Sequence, residues 1–86
     1  MPTISIFYGI KILMFFDEHN PPHFHAQYAE FHAIILINEN CVLEGYLPSR
    51  QLKLVLAWSE IHRDELLNNW LSAQCIGKIK KIAPLK

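Results

Sequence analysis

Along the first half of the chain apolar positions alternate with polar ones, and in the second half they switch to a helical period. Thr3 to Tyr8 is rich in β-branched and aromatic residues, with Ile4, Ile6 and Tyr8 on one face, which predicts a strand. Gly9-Ile10 puts glycine at the first central position of a two-residue loop, as a type II′ hairpin turn requires. Lys11 to Asp17 returns with Ile12, Met14 and Phe16 opposite Leu13 and Phe15. Apolar on both faces, it predicts a central strand covered on each side. His23 to Tyr28 alternates cleanly: His23, His25 and Gln27 share one face, and Phe24, Ala26 and Tyr28 the other. A turn near Ala29-Glu30 leads into Phe31 to Ile37, Asn38-Glu39-Asn40 turns the chain again, and Val42 to Leu47 follows as a fifth strand.

Pro48-Ser49 then opens a helix, with Ser49 as N-cap, and neither Gly nor Pro recurs before Gly77, a natural C′ stop. The spacing predicts one long helix from about Arg50 to about Gln74, with room for a bend near its middle. Leu52, Val55, Ser59, His62, Leu66 and Ala73 line one stripe, flanked by Leu56, Trp58, Leu67 and Trp70, and this stripe should face the sheet. Lys78 to Ile82 reads as a short terminal edge strand whose lysines discourage further pairing. The expected fold is therefore α+β: an antiparallel sheet of four to five short strands, one long helix across a face, and a C-terminal edge strand.

Length makes this a single domain over residues 1–86, one that buries only about 60–65% of its unfolded surface. A homodimer would supplement so small a core. Hydrophobic residues at 51% and charged ones at 19% exclude a disordered chain. Acids and bases balance at eight each, so no global field draws the chain to nucleic acid, although Lys78, Lys80, Lys81 and Lys86 crowd the end. That cluster lacks interleaved aromatics and reads as a solvated tail, leaving a nucleic-acid partner open. The opening residues lack the charged and long apolar regions of a signal peptide, and no apolar run approaches the ~20 residues of a membrane span. Cys41 and Cys75 have no C-x-x-C partner, so two free thiols in a reducing cytoplasm, each a small buried hydrophobe, are expected.

The chemistry concentrates in His19-Asn20-Pro21-Pro22-His23-Phe24-His25, three imidazoles on a corner stiffened by two prolines. Three readings stay open. His19, His23 and His25 could form a ligand set with an open position for zinc or a similar divalent metal, completed or oriented by Asp17 or His62. The histidines could instead build a hydrogen-bonded polar corner that closes the sheet. In the third reading His23, His25 and His62 supply a general acid and base, with Arg50 or Arg63 stabilising phosphorane charge. Arg50 also falls near a helix N-terminus, where anions are favoured. His62 and Ser59 interrupt an apolar stripe and need polar partners, which the histidine face of the sheet could supply. Trp58 and Trp70 are read as packing anchors, and Glu60, Asp64 and Glu65 as surface charges that pair with Arg63 or its neighbours.

Taken together, H-N-P-P-H-F-H-A at 19–26, the opening M-P-T-I-S-I-F-Y-G, L-E-G-x-L-P at 43–48 and H-R-D-E-L at 62–66 resemble a small bacterial family called domain of unknown function 4160. The resemblance runs from Met1 to about Leu85; Ala29 departs from it where glycine is expected, and Asn38-Glu39-Asn40 is a variable turn. It implies an uncharacterised cytoplasmic protein, often encoded beside another small protein in a toxin–antitoxin-like pair. Such a pair makes this chain either a small toxin, RNA cleavage included, or a regulator that binds its cognate partner. Enzyme and non-catalytic interaction module both remain open.

Overall fold

A computed structural model describes residues 3–16, 19–75 and 77–85. Its five strands are β1 (Thr3–Phe7), β2 (Ile10–Leu13), β3 (His23–Tyr28), β4 (Phe31–Leu36) and β5 (Cys41–Tyr46). They form one antiparallel meander in the order β1-β2-β3-β4-β5. The expected sheet is present, with β2 shorter than Lys11–Asp17; Asp17 lies outside the described residues.

Turn chemistry sets the register. Phe7 pairs with Ile10, so the first loop is Tyr8-Gly9, not Gly9-Ile10. Both loop residues have positive φ, 51° and 75°, which is the type I′ arrangement rather than II′. At the β3–β4 turn Ala29 takes φ 51°, a conformation that glycine would adopt without strain. Ile34 pairs with Glu44 and Ile35 with Val42, which leaves Leu43 as the extra residue of a bulge that bends β5 against β4.

The core forms where Phe7 and Phe24 meet Trp58, at ring-centroid distances of 5.3 and 5.9 Å. Ile10, Ile12, Met14, Ala26, Ala33, Ile35, Val55 and Leu66 are buried around them. Trp58 and Trp70 are both packing anchors, as their place on the stripe predicts. Cys41 and Cys75 are free but exposed, contrary to the expectation of buried thiols.

The single long helix is not observed. The chain forms α1 (Ser49–Ile61) and α2 (Arg63–Cys75), parted at His62, whose φ and ψ of −108° and 25° leave the helical region. His62 ends α1 through its N–H to the Trp58 carbonyl, and its ring Nδ1 bonds Glu65 Oε1 at 2.5 Å. Glu65 stands three residues on, and Asp64 and Glu65 occupy the first turn of α2, where the helix dipole favours carboxylates. His-Arg-Asp-Glu is thus a helix start, although the apolar stripe runs through it. At the other end Pro48, not Ser49, holds the N-cap position of α1, without a side-chain cap bond. Gly77 behaves as a stop: φ is 69° and its N–H returns to the Ser72 carbonyl at 2.9 Å.

The C-terminal edge strand is also absent. Residues 77–85 lie along β1, but a single backbone bond joins the two, from Ile82 N–H to the Ile4 carbonyl at 2.8 Å. The other fastenings come from helix side chains. Trp58 Nε1 donates to the Ala83 carbonyl at 2.8 Å, and Asn69 brackets the backbone of Lys80. With its polar groups engaged by side chains and Pro84 lacking an N–H, the segment is a strap rather than a strand. Among the described residues no helix is long and apolar enough to cross a membrane.

Candidate functional site

The proline corner is held from two sides. Asn20-Pro21 is a cis peptide bond. The Pro22 carbonyl accepts from Ile37 N–H at 3.1 Å, and Asn20 Oδ1 accepts from Trp70 Nε1 at 3.3 Å. The corner therefore delivers His23 into β3 at a defined height against both the end of β4 and helix α2.

From there the strand period distributes the side chains as expected: Phe24 enters the core while His23 and His25 share the opposite face, their ring centroids 5.5 Å apart. His23 is buried, and its ring packs on Trp70 at 5.0 Å. Its Nδ1 donates to the Pro21 carbonyl at 2.8 Å; because a carbonyl only accepts, that nitrogen carries a proton. His25 is half-buried, with the ring of Phe15 edge-on at 4.5 Å.

The β3–β4 register then supplies a histidine from outside the motif. Gln27 pairs with His32 and His25 with Ile34, so His32 is a diagonal neighbour of His25 on the same face. His25 Nδ1 and His32 Nε2 lie 3.1 Å apart, with their rings stacked at 5.2 Å. One of these nitrogens donates and the other accepts. His32 stands outside the histidine motif, on the next strand, and the two-residue turn at Ala29-Glu30 is the sequence signal that brings it beside His25. The same register aligns Lys11, Gln27, His32 and Tyr46 across four strands, beside a row of Leu13, His25, Ile34 and Glu44.

The remaining expected site residues have surroundings of their own. His62 rests on Trp58 at 5.4 Å, on the helix-covered side of the sheet, and is bonded to Glu65. Ser59 is fully buried, but its hydroxyl has no hydrogen-bond partner, so the expected assembly of Ser59 and His62 with the sheet histidines does not form. Arg50 is exposed in the first turn of α1, and Arg63 pairs with Glu60 at 2.8 Å. His19 is exposed at the corner, next to Asp17 and Glu18, which lie outside the described residues. Among the described residues no group of three or more His, Cys, Asp or Glu is placed to hold a metal ion. Two cavities, of about 680 and 490 Å³, follow the C-terminal strap: one against β1, the other against α2.

The model of a protein family described as domain of unknown function (DUF4160) matches residues 9–71 of the 86. The match takes in the proline corner, both histidine strands and the helix break, and the chain belongs to this family. No curated protein and no solved structure matches the chain.

Proposed function

We propose that this DUF4160 member is a protein-binding component of a cytoplasmic toxin–antitoxin-like gene pair, and that the sheet face around His25 and His32 receives its small cognate partner. The observation that supports this reading is the incomplete cover of the histidine face, where Trp70 packs on His23 at one end and Leu13 is buried but the rest is open. Trp58 covers the Phe24 side, whereas on the other side Lys11 and His32 are exposed, and Ile34 and Leu36 are only half-buried. Ile6, opposite Lys11 in the β1–β2 register, is 59% exposed. Apolar groups interspersed with imidazoles and a single lysine suit a protein partner better than a nucleic acid, which would call for a basic face.

The histidine geometry favours binding over hydrolysis. A general acid and base must stand on either side of a scissile phosphodiester, but His25 and His32 touch at 3.1 Å and leave no room between them. His62, held by Glu65 and Trp58, is engaged elsewhere and does not serve as the second base.

Co-expression with the product of the neighbouring gene tests the reading, with the mass of the purified complex measured in solution. A heterocomplex should form. Ile34→Lys and Ile6→Lys should each disrupt it, and Leu71→Lys, on the exposed side of α2, should leave it intact. A homodimer alone, or a complex indifferent to both sheet substitutions, would contradict the proposal.

A further inference from the structure

We infer that His25 Nδ1 and His32 Nε2 form a two-point binding site for a divalent late first-row transition ion such as zinc or nickel, with water in the remaining positions. The starting observation is the close approach of two ring nitrogens, one donating and the other accepting. They face each other at 3.1 Å across adjacent strands, a separation that fits either a shared proton or a shared metal. Two metal–imidazole bonds of about 2.05 Å spanning that gap subtend about 98° at the ion, between the octahedral cis angle and the tetrahedral angle. The ion would sit about 1.3 Å off the line between the nitrogens.

The site is also rigidly built. Both ligands stand on paired strands in a register set by a two-residue turn, not on a loop. Phe15 and His23 pack against the His25 ring at 4.5 and 5.5 Å and hold its orientation. His23 is in turn fixed by the Pro21 carbonyl and Trp70. The exposure of His32 leaves the site open to solvent, so water can complete the coordination shell. On metal entry the proton between the two nitrogens moves to the other nitrogen of the same ring or to solvent, since a protonated nitrogen cannot coordinate.

This site differs from a His19, His23 and His25 set, and it does not rest on the partner reading, because the isolated chain is enough to test it. Zinc and nickel are titrated separately into the full chain, by calorimetry and by imidazole nitrogen NMR. One ion per chain should bind in the micromolar range, with the His25 and His32 resonances moving together. His32→Ala and His25→Gln should each weaken binding about tenfold or more, as loss of one arm of a chelate does. His19→Ala, and a Cys41→Ser/Cys75→Ser double variant, should bind like the parent. His32 is exposed, so its truncation should leave the fold unchanged by circular dichroism, and the parent spectra decide the matter without any variant. No uptake, movement of other imidazoles without these two, or unweakened binding in His32→Ala would overturn the site.

Discussion

Asn69 and Lys80 are joined at two points: Asn69 Nδ2 donates to the Lys80 carbonyl at 2.7 Å, and its Oδ1 accepts from Lys80 N–H at 3.0 Å. The Asn69 side chain is buried, so it satisfies backbone groups that would otherwise face the flank of α2 unpaired. This clamp, with the Trp58 bond to Ala83, aligns the strap so that Ile82 can enter the core. Asn69→Ala should therefore destabilise the fold by about 1–3 kcal/mol. Amide exchange at Lys80 and Ile82 should accelerate well beyond that of β3. If only the global stability falls and exchange along the strap is unchanged relative to the sheet, the clamp has been assigned the wrong role.

Gly45 is fixed by the strand opposite. A Cβ at this position would fall 2.2 Å from the His32 carbonyl oxygen and 2.9 Å from the Ala33 Cα, and its φ of 89° is unsuited to any other residue. Both contacts are backbone, so neither can rotate away. Gly45→Ala should cost about 1–3 kcal/mol from the backbone conformation alone. It should also shift the His32 ring resonances, because relief requires β4 to move. An alanine variant of parental stability in a denaturant titration would show that β5 does not approach β4 this closely.

The features legible in the sequence are those set by local period and turn chemistry. Strict alternation from His23 to Tyr28 correctly put Phe24 inside and both histidines on the other face. The first hairpin was displaced by one residue because glycine serves either central position, and only the Phe7–Ile10 pairing distinguishes them. The spacing leaves room for a bend near the middle of the helix but not for a full break, because Val55, Leu66 and Ala73 keep one apolar stripe through it, while the bond between His62 and Glu65 at the break is polar. The Lys–Ile alternation of the tail suggests a strand, but beyond the one bond to Ile4 its backbone is held by the side chains of Asn69 and Trp58. The sheet histidines were half visible: His23 and His25 share a motif, whereas His32 joins them only through cross-strand register.

Ser59 offers a prediction of opposite sign. Its hydroxyl is fully buried in α1 with no hydrogen-bond partner, which costs the folded state the hydration that the group enjoys when unfolded. Alanine removes that cost and is the better helix former. Ser59→Ala should raise stability, by about 1 kcal/mol, with the midpoint of urea unfolding moving up and its slope unchanged. A clear loss of stability would mean that the hydroxyl is bonded after all, and that this position belongs to a polar network.

Leu66 and Leu71 together test which side of α2 faces the core. Leu66 is fully buried in the cluster formed by Trp58, Trp70 and the sheet, whereas Leu71, five residues on, is 60% exposed. At 3.6 residues per turn those positions lie on opposite flanks of the helix, so the helix break at His62 decides which one turns inward. Leu66→Ala should cost about 2–5 kcal/mol, the transfer free energy of the lost groups plus the cavity left behind. Leu71→Ala should stay within about 0.5 kcal/mol of the parent, as exposed substitutions do. A domain of this size has only a few kcal/mol to lose, so the first variant should unfold a substantial fraction of molecules before any denaturant is added. Equal costs at the two positions would mean that α2 is rotated about its axis, which would also take Asn69 away from the strap and Trp70 away from His23.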